Sequence, residues 1–210
     1  MKFHVRILGS EDAGAFRALR LEALARHPCA FAATHDEESG QSAADVAARL
    51  ACQAVFGAFV DGALVGVAGF ATPALAKKMH KGLLWGVYVG ERRRGHGLGR
   101  ALVARVIEHA RDRVAQLHAA VVTGNAVAGG LYRDLGFVTY GIEPRALKVG
   151  ERYFDQELMV LMLDEASCHA GSRNPLLDGM ADPAGGPSFP RTDAKGRAIG
   201  TTDVWRPKIG

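Results

Sequence analysis

The chain is short of cysteine, of long apolar runs and of any strong excess of one charge, and each shortage removes a class of protein. Three cysteines among 210 residues, Cys29, Cys52 and Cys168, are odd in number, far apart and without metal-ligand spacing. That pattern excludes a disulfide scaffold and a zinc module and leaves reduced thiols. No apolar stretch approaches the ~18 residues that a membrane span needs, and the opening MKFHVRILGS lacks the apolar core of a secretory leader. The expectation is a soluble, cytoplasmic protein without a membrane partner. Twenty-six basic against 22 acidic residues give a formal charge of only +4. Acidic residues such as Glu91 and Glu108 interrupt the basic patch at Arg92–Arg94 and no aromatic interleaving follows, so no nucleic-acid partner is expected. His109 and His118 stand singly, so no metal is expected.

What is present is periodicity. Phe3, Val5 and Ile7 alternate with His4 and Arg6 as in a half-buried strand. Ser10 then opens a helix in which Phe16, Leu19, Leu21 and Leu24 recur until His27-Pro28 stops it. A polar loop, HDEESGQS, precedes a short helix over 43–51. Strands over 54–60 and 63–70 flank Asp61-Gly62, a hairpin signal, and LLWGVYV (83–89) reads as a fourth strand. A helix over 98–113, a strand over 117–123, a helix over 126–135 closed by Gly136, and strands over 137–142 and 153–163 complete the pattern. Alternating strands and helices predict a mixed α/β sheet with helices on both faces. Composition changes near Glu165: residues 166–210 hold five of the eight prolines and seven glycines, with no apolar period. The expected organisation is one domain over 1–165 and a disordered Pro/Gly-rich tail over 166–210.

Between the fourth strand and its following helix lies ERRRGHGLGRAL (91–102). Unpaired amides at a helix start converge with the helix dipole, and glycine lets a phosphate approach them, so the stretch predicts an anion site suited to a diphosphate. A P-loop would need Lys-Ser or Lys-Thr after the last glycine, and neither is there. A dinucleotide fingerprint would need G-x-G-x-x-G after a first strand, whereas this is G-x-G-x-G after a fourth.

The remaining pattern, [RQ]-x-x-G-x-[GA], is met by Arg94, Gly97 and Gly99. With LLWGVYV before it, Thr123-Gly124-Asn125 after the next strand, GGLYRDLGF beyond, and YGIEPRALKVGERYFDQELMVL near the end, the chain resembles the GNAT family of N-acetyltransferases from about Val5 to Leu163. The resemblance implies a mixed, mostly antiparallel sheet of about seven strands flanked by about four helices, with the fourth and fifth strands splayed. It implies acetyl-CoA as cosubstrate, its pantetheine arm bonded to the fourth-strand backbone at Val87 and Val89. The pyrophosphate would lie on the loop Arg94, Gly95, His96, Gly97, Leu98, Gly99 and Arg100. Asn125 would order the cofactor or the following turn, and Tyr132 would place its hydroxyl near the sulfur. A homodimer is common among similar proteins.

In such chemistry a neutral amine attacks a thioester, an oxyanion forms and a thiolate leaves. The Val89 amide is the candidate oxyanion donor. The Tyr132 phenol, protonated at pH 7, is the candidate acid. For the amine's proton, Glu37, Glu38, His35 and a water chain stay open. Glu37 and Glu38, with Trp85 from the fourth strand, are candidates to line the acceptor site, where carboxylates would favour a cationic amine. Trp85 and Tyr88 are expected on opposite faces by the two-residue period. Gly129-Gly130 inside the Tyr132 helix departs from similar sequences and costs ~2 kcal/mol against alanine. The predicted function is acetyl transfer to a primary amine of a small molecule or protein. The alternative is a non-catalytic acyl-CoA-binding or regulatory module of the same fold.

Overall fold

The structure, a computed structural model, describes residues 1–164. The tail expected to be disordered from residue 166 lies outside the described residues. Seven strands form one sheet in the order β1-β2-β3-β4-β5-β7-β6. They are β1 (His4–Ile7), β2 (Ala54–Val60), β3 (Ala63–Ala71), β4 (Lys81–Val89), β5 (Gln116–Val122), β6 (Val138–Val149) and β7 (Arg152–Met162). Every pairing is antiparallel except β4 with β5.

Among the described residues five α-helices accompany the sheet, one more than the pattern predicts: α1 (Ala13–Arg26), α2 (His35–Ser39), α3 (Ala43–Cys52), α4 (Leu98–Arg111) and α5 (Ala126–Asp134). The additional one, α2, falls in the stretch expected to be a polar loop. Thr34 and Glu37 form a reciprocal capping box at its start, which satisfies amides that the short helix would otherwise leave bare. Ser42 and Asp45 do the same for α3.

The alternating residues of the strands divide the interior in two. Phe56, Ala58 and Val60 of β2, with Ala68 and Phe70 of β3, pack under Leu98, Leu102, Val103 and Val106 of α4. On the opposite face Val55, Phe59 and Val67 pack against Phe16 and Leu19 of α1 and Val46 and Leu50 of α3. α4 shows the regular apolar stripe expected of a helix on a sheet. α1 does not: its buried face includes Arg20 among Phe16, Leu19, Ala23 and Leu24.

The last hairpin is longer than the sequence pattern implies. β6 runs on to Val149 through Pro144, with a register break between Glu143 and Leu147. Arg145, at φ 55, donates its amide to Asp155 across that break. A bulge lets an edge strand carry proline without losing its pairing beyond it.

Candidate active site

β4 and β5 are bonded only through Lys81–Gln116, Gly82–Leu117 and Leu83–His118, then part. The cause is local. Between β3 and β4 the register slips: Val67 faces Tyr88 while Gly69 faces Trp85, so β4 carries one extra residue at Gly86-Val87. Gly86 sits at φ +63, a left-handed conformation that side chains resist, and the bulge turns the strand away from its neighbour.

The bulge also corrects the expectation for Trp85 and Tyr88. An inserted residue flips the facing of everything after it. Trp85 and Tyr88 therefore pack on the same face, against the α1–α3 cluster, while Leu84, Val87 and Val89 turn to the other.

A cavity of about 680 Å³ opens where the strands part. Val87 and Val89 form one wall, Thr123, Gly124 and Asn125 the other, and Arg94, Gly95, Gly97, Leu98 and Gly99 the end. Because the Gly90 amide donates to Val65 on β3 at 2.9 Å and successive residues of a strand alternate their edges, the Val89 N–H and C=O face the opened side. The Val89 oxygen accepts from Arg94 Nε at 3.1 Å.

At the cavity's end Gly95 and Gly97 take φ +78 and +79, and Gly97 is the N-cap of α4. The first helical bond runs from the Ala101 amide to Gly97 O at 3.0 Å. The amides of Leu98, Gly99 and Arg100 accordingly have no carbonyl within the helix. This end fits a diphosphate: bare amides, a helix dipole, two arginines (Arg93 and Arg94) and open space where a glycine Cβ would stand. The side chains of His96 and Arg100 do not line it. His96 Nδ1 bonds Arg94 O, and Arg100 reaches Asp134 at 4.0 Å on the surface.

The other expected residues are placed as follows. Asn125 Oδ1 accepts from the Ala128 amide at 3.2 Å, so it caps α5 and orders the turn while lining the cavity. Tyr132 is buried, with its ring 5.7 Å from that of Phe137, and is not among the residues lining the cavity, whereas Ala128 and Leu131 are. Burial pushes its phenol up to about 12, so it is protonated at neutral pH. Glu37 is not at the cavity; it is spent on the Thr34 cap. His35 is exposed beside Asp36. Glu38 is buried and does not line this cavity, held by Arg20 Nε at 3.2 Å and Nη2 at 2.5 Å.

Sequence reasoning missed the contribution of the α1 end. His27 lines the cavity and its Nε2 lies 2.9 Å from Arg94 Nη2. Tyr88 also lines it, donating its hydroxyl to Glu22 at 2.9 Å, and burial with that carboxylate raises the phenol to about 12. A second cavity of about 380 Å³ lies beyond Phe31, which borders both, and is lined by Arg20, Glu38, Arg49, Leu83, Trp85 and Gly86 among others. The signal for it was legible: Arg20 falls on the apolar stripe of α1, where a charge needs a reason.

Comparison with known proteins now decides the family. The model described as the acetyltransferase (GNAT) family matches residues 18–137, more than half of the chain. The chain belongs to the GNAT family of acetyltransferases. Two Pseudomonas proteins, from P. paraeruginosa and P. aeruginosa, are 42% identical over 81 residues and are named L-methionine sulfoximine/L-methionine sulfone acetyltransferases. Those matches span 37% of this chain and 46% of the relatives, about half of their length. A GNAT-family acetyltransferase of Streptococcus pneumoniae superposes with a TM-score of 0.70 at 24% identity, over 78% of this chain and all of that one. A Salmonella typhimurium protein solved with its cofactor acetyl-CoA gives 0.67 at 25%, over 83% and 99%. The fold expected of the sequence is the fold found. Among the described residues no helix is long and apolar enough to cross a membrane, and no group of three or more His, Cys, Asp or Glu is placed to hold a metal.

Proposed function

We propose that the chain transfers acetyl from acetyl-CoA to a primary amine by direct attack. The observation that carries this reading is the parting of β4 from β5 over a cavity that ends on the bare amides of α4. Acetyl-CoA, when bound, supplies a thioester whose carbonyl can be attacked and whose thiolate can leave. The amides of the Gly95–Arg100 stretch would hold the pyrophosphate, and the free edge of β4 at Val87 and Val89 would bond the pantetheine arm. The Val89 N–H, on that open edge, is the donor for the oxyanion, a contribution of ~3 kcal/mol or more in a water-poor site. Tyr132 holds the proton for the departing sulfur. Its phenol is protonated at pH 7.

The relatives named for L-methionine sulfoximine and L-methionine sulfone support a small-molecule acceptor over a protein. Cys29 and Cys52, free thiols among the described residues, support a cytoplasmic setting. The reading is tested by release of free CoA from acetyl-CoA by the full chain over a panel of amines, with mass spectrometry of the products. Amine-dependent release with an N-acetylated product is expected. Acetyl-CoA binding without release from any amine would leave a non-catalytic acyl-CoA-binding module instead.

A further inference from the structure

Arg94 is held before any ligand reaches it. Its Nε donates to Val89 O at 3.1 Å, and its Nη2 lies 2.9 Å from His27 Nε2. A guanidinium only donates, so this contact assigns the tautomer of the ring: the lone pair of His27 stands at Nε2 and its proton at Nδ1. Tyr88 bounds the same guanidinium. Arg94 Cζ lies 5.8 Å from the centroid of the Tyr88 ring, and the His27 ring centroid lies 6.0 Å from it. Glu22, accepting the Tyr88 hydroxyl at 2.9 Å, fixes that ring in turn.

His27 is itself anchored on a helix end. It is the C-cap of α1, with its amide bonded to Ala23 O at 2.9 Å, and Pro28 stops the helix directly after it. Glu91 lies 3.7 Å from His27 Nε2 but takes its hydrogen bond from Arg26 Nη1, at 3.0 Å. Among the described residues no carboxylate pairs with Arg94, and its Nη1 has no hydrogen-bond acceptor. Two nitrogens of the guanidinium are thus fixed by acceptors without charge, which leaves its own charge and its third nitrogen for an anion in the cavity it lines.

We infer that His27 is a positioning residue for the cosubstrate: from the end of α1 it holds Arg94 in the orientation in which the guanidinium meets the diphosphate. The inference rests on the acetyl-CoA reading of this cavity and adds a residue of α1 to a site built from β4 and α4. An arginine left to itself samples many rotamers, and a ligand that needs it must order it on binding. Here the order is already present. Val89 O keeps a second lone pair, so its bond from Arg94 does not remove that carbonyl from the edge offered to the pantetheine arm. In the sequence His27 reads only as a helix stop before Pro28, because its partner lies 67 residues further along the chain.

Calorimetric titration of the full chain with CoA tests the role apart from turnover. His27→Phe keeps a ring beside Tyr88 and deletes the acceptor, and should weaken CoA about 3- to 10-fold, the cost of ordering one rotamer-rich side chain on binding. His27→Ala should weaken it by as much. His27→Gln returns an acceptor oxygen near the place of Nε2 and should stay within about 1.5-fold of the parent. A double-mutant cycle decides between action through Arg94 and action alone: in an Arg94→Ala background His27→Phe should change affinity by less than about 1.5-fold. An equal loss in both backgrounds, no loss in His27→Phe and His27→Ala, or a loss in His27→Gln as large as theirs would overturn the inference. Free-CoA release with amines separates it from the reaction. Coupling as expected without release from any amine would keep the role of His27 and remove acetyl transfer. Amine-dependent release with additive losses would keep the transfer and remove the role of His27.

Discussion

Gly97 offers a test in which strain and ligand binding can be separated within one molecule. It stands at φ +79 with nothing within 4 Å of where its Cβ would be, so Gly97→Ala meets no clash. Its cost to the fold is the left-handed conformation, about 1–2 kcal/mol, less about 0.4–1 kcal/mol returned by a stiffer unfolded chain. The net is roughly 1 kcal/mol, or about 2–4 °C in Tm for a domain of this size. Gly62, in the β2–β3 turn, has φ +80 and the same empty surroundings, and it is not among the residues lining the cavity. Gly62→Ala should therefore lose the same stability. Only Gly97→Ala puts a methyl group where a phosphate must approach the amides of α4. CoA affinity by calorimetry should fall about 10- to 100-fold in Gly97→Ala, the value of charge-assisted hydrogen bonds, and stay within twofold in Gly62→Ala. Equal losses in both, or unchanged affinity in Gly97→Ala with matched stability losses, would refute the assignment of the diphosphate to this helix start.

Other perturbations follow from the same geometry. Tyr132→Phe should lower the single-turnover rate by about 10²–10⁴-fold with acetyl-CoA affinity little changed, and a rate equal to the parent's would return Tyr132 to a packing role. The same residue, together with Tyr88, contributes to alkaline stability. Its folded pKa of about 12 lies above the ordinary 10, so the unfolded chain loses the proton first and stability falls from pH 10 to 12 by about 1.4 kcal/mol per unit. Urea titrations at pH 9 and 11 should show a smaller loss in Tyr132→Phe. Gly130 in α5 has open space for a Cβ, so Gly130→Ala should raise stability by about 1 kcal/mol, measurable as a higher urea midpoint. Glu38→Leu strands Arg20 in the interior and should cost about 3–5 kcal/mol, whereas adding Arg20→Met should restore most of it in the same unfolding assay.

Much of the site was legible because its signals are local. The glycines of 95–99 declare a turn and a helix start through backbone freedom alone, and Asn125 declares the cap of α5 by its side-chain chemistry. Some legible signals were passed over: Thr34 and Glu37 carry the spacing of a capping box inside a stretch that lacks apolar period, and α2 forms there. Tyr132 shows the opposite case, since its spacing after Asn125 marks the helix but not how deeply the ring is buried.

The strands and helices themselves, the two helix layers and the bare amides of α4 follow from periodicity, turn residues and capping, which act over a few neighbours in the chain. The bulge at Gly86, the shared face of Trp85 and Tyr88, the burial of Glu38 against Arg20 and the meeting of two cavities at Phe31 do not. Each depends on residues brought together from distant parts of the chain: β3 sets the register that makes Gly86 surplus, and α1 and α2 close on each other so that one carboxylate meets more guanidinium than it can satisfy. Facing in a strand and charge in an interior are set by what lies opposite, and only the assembled sheet and helices bring those partners into place.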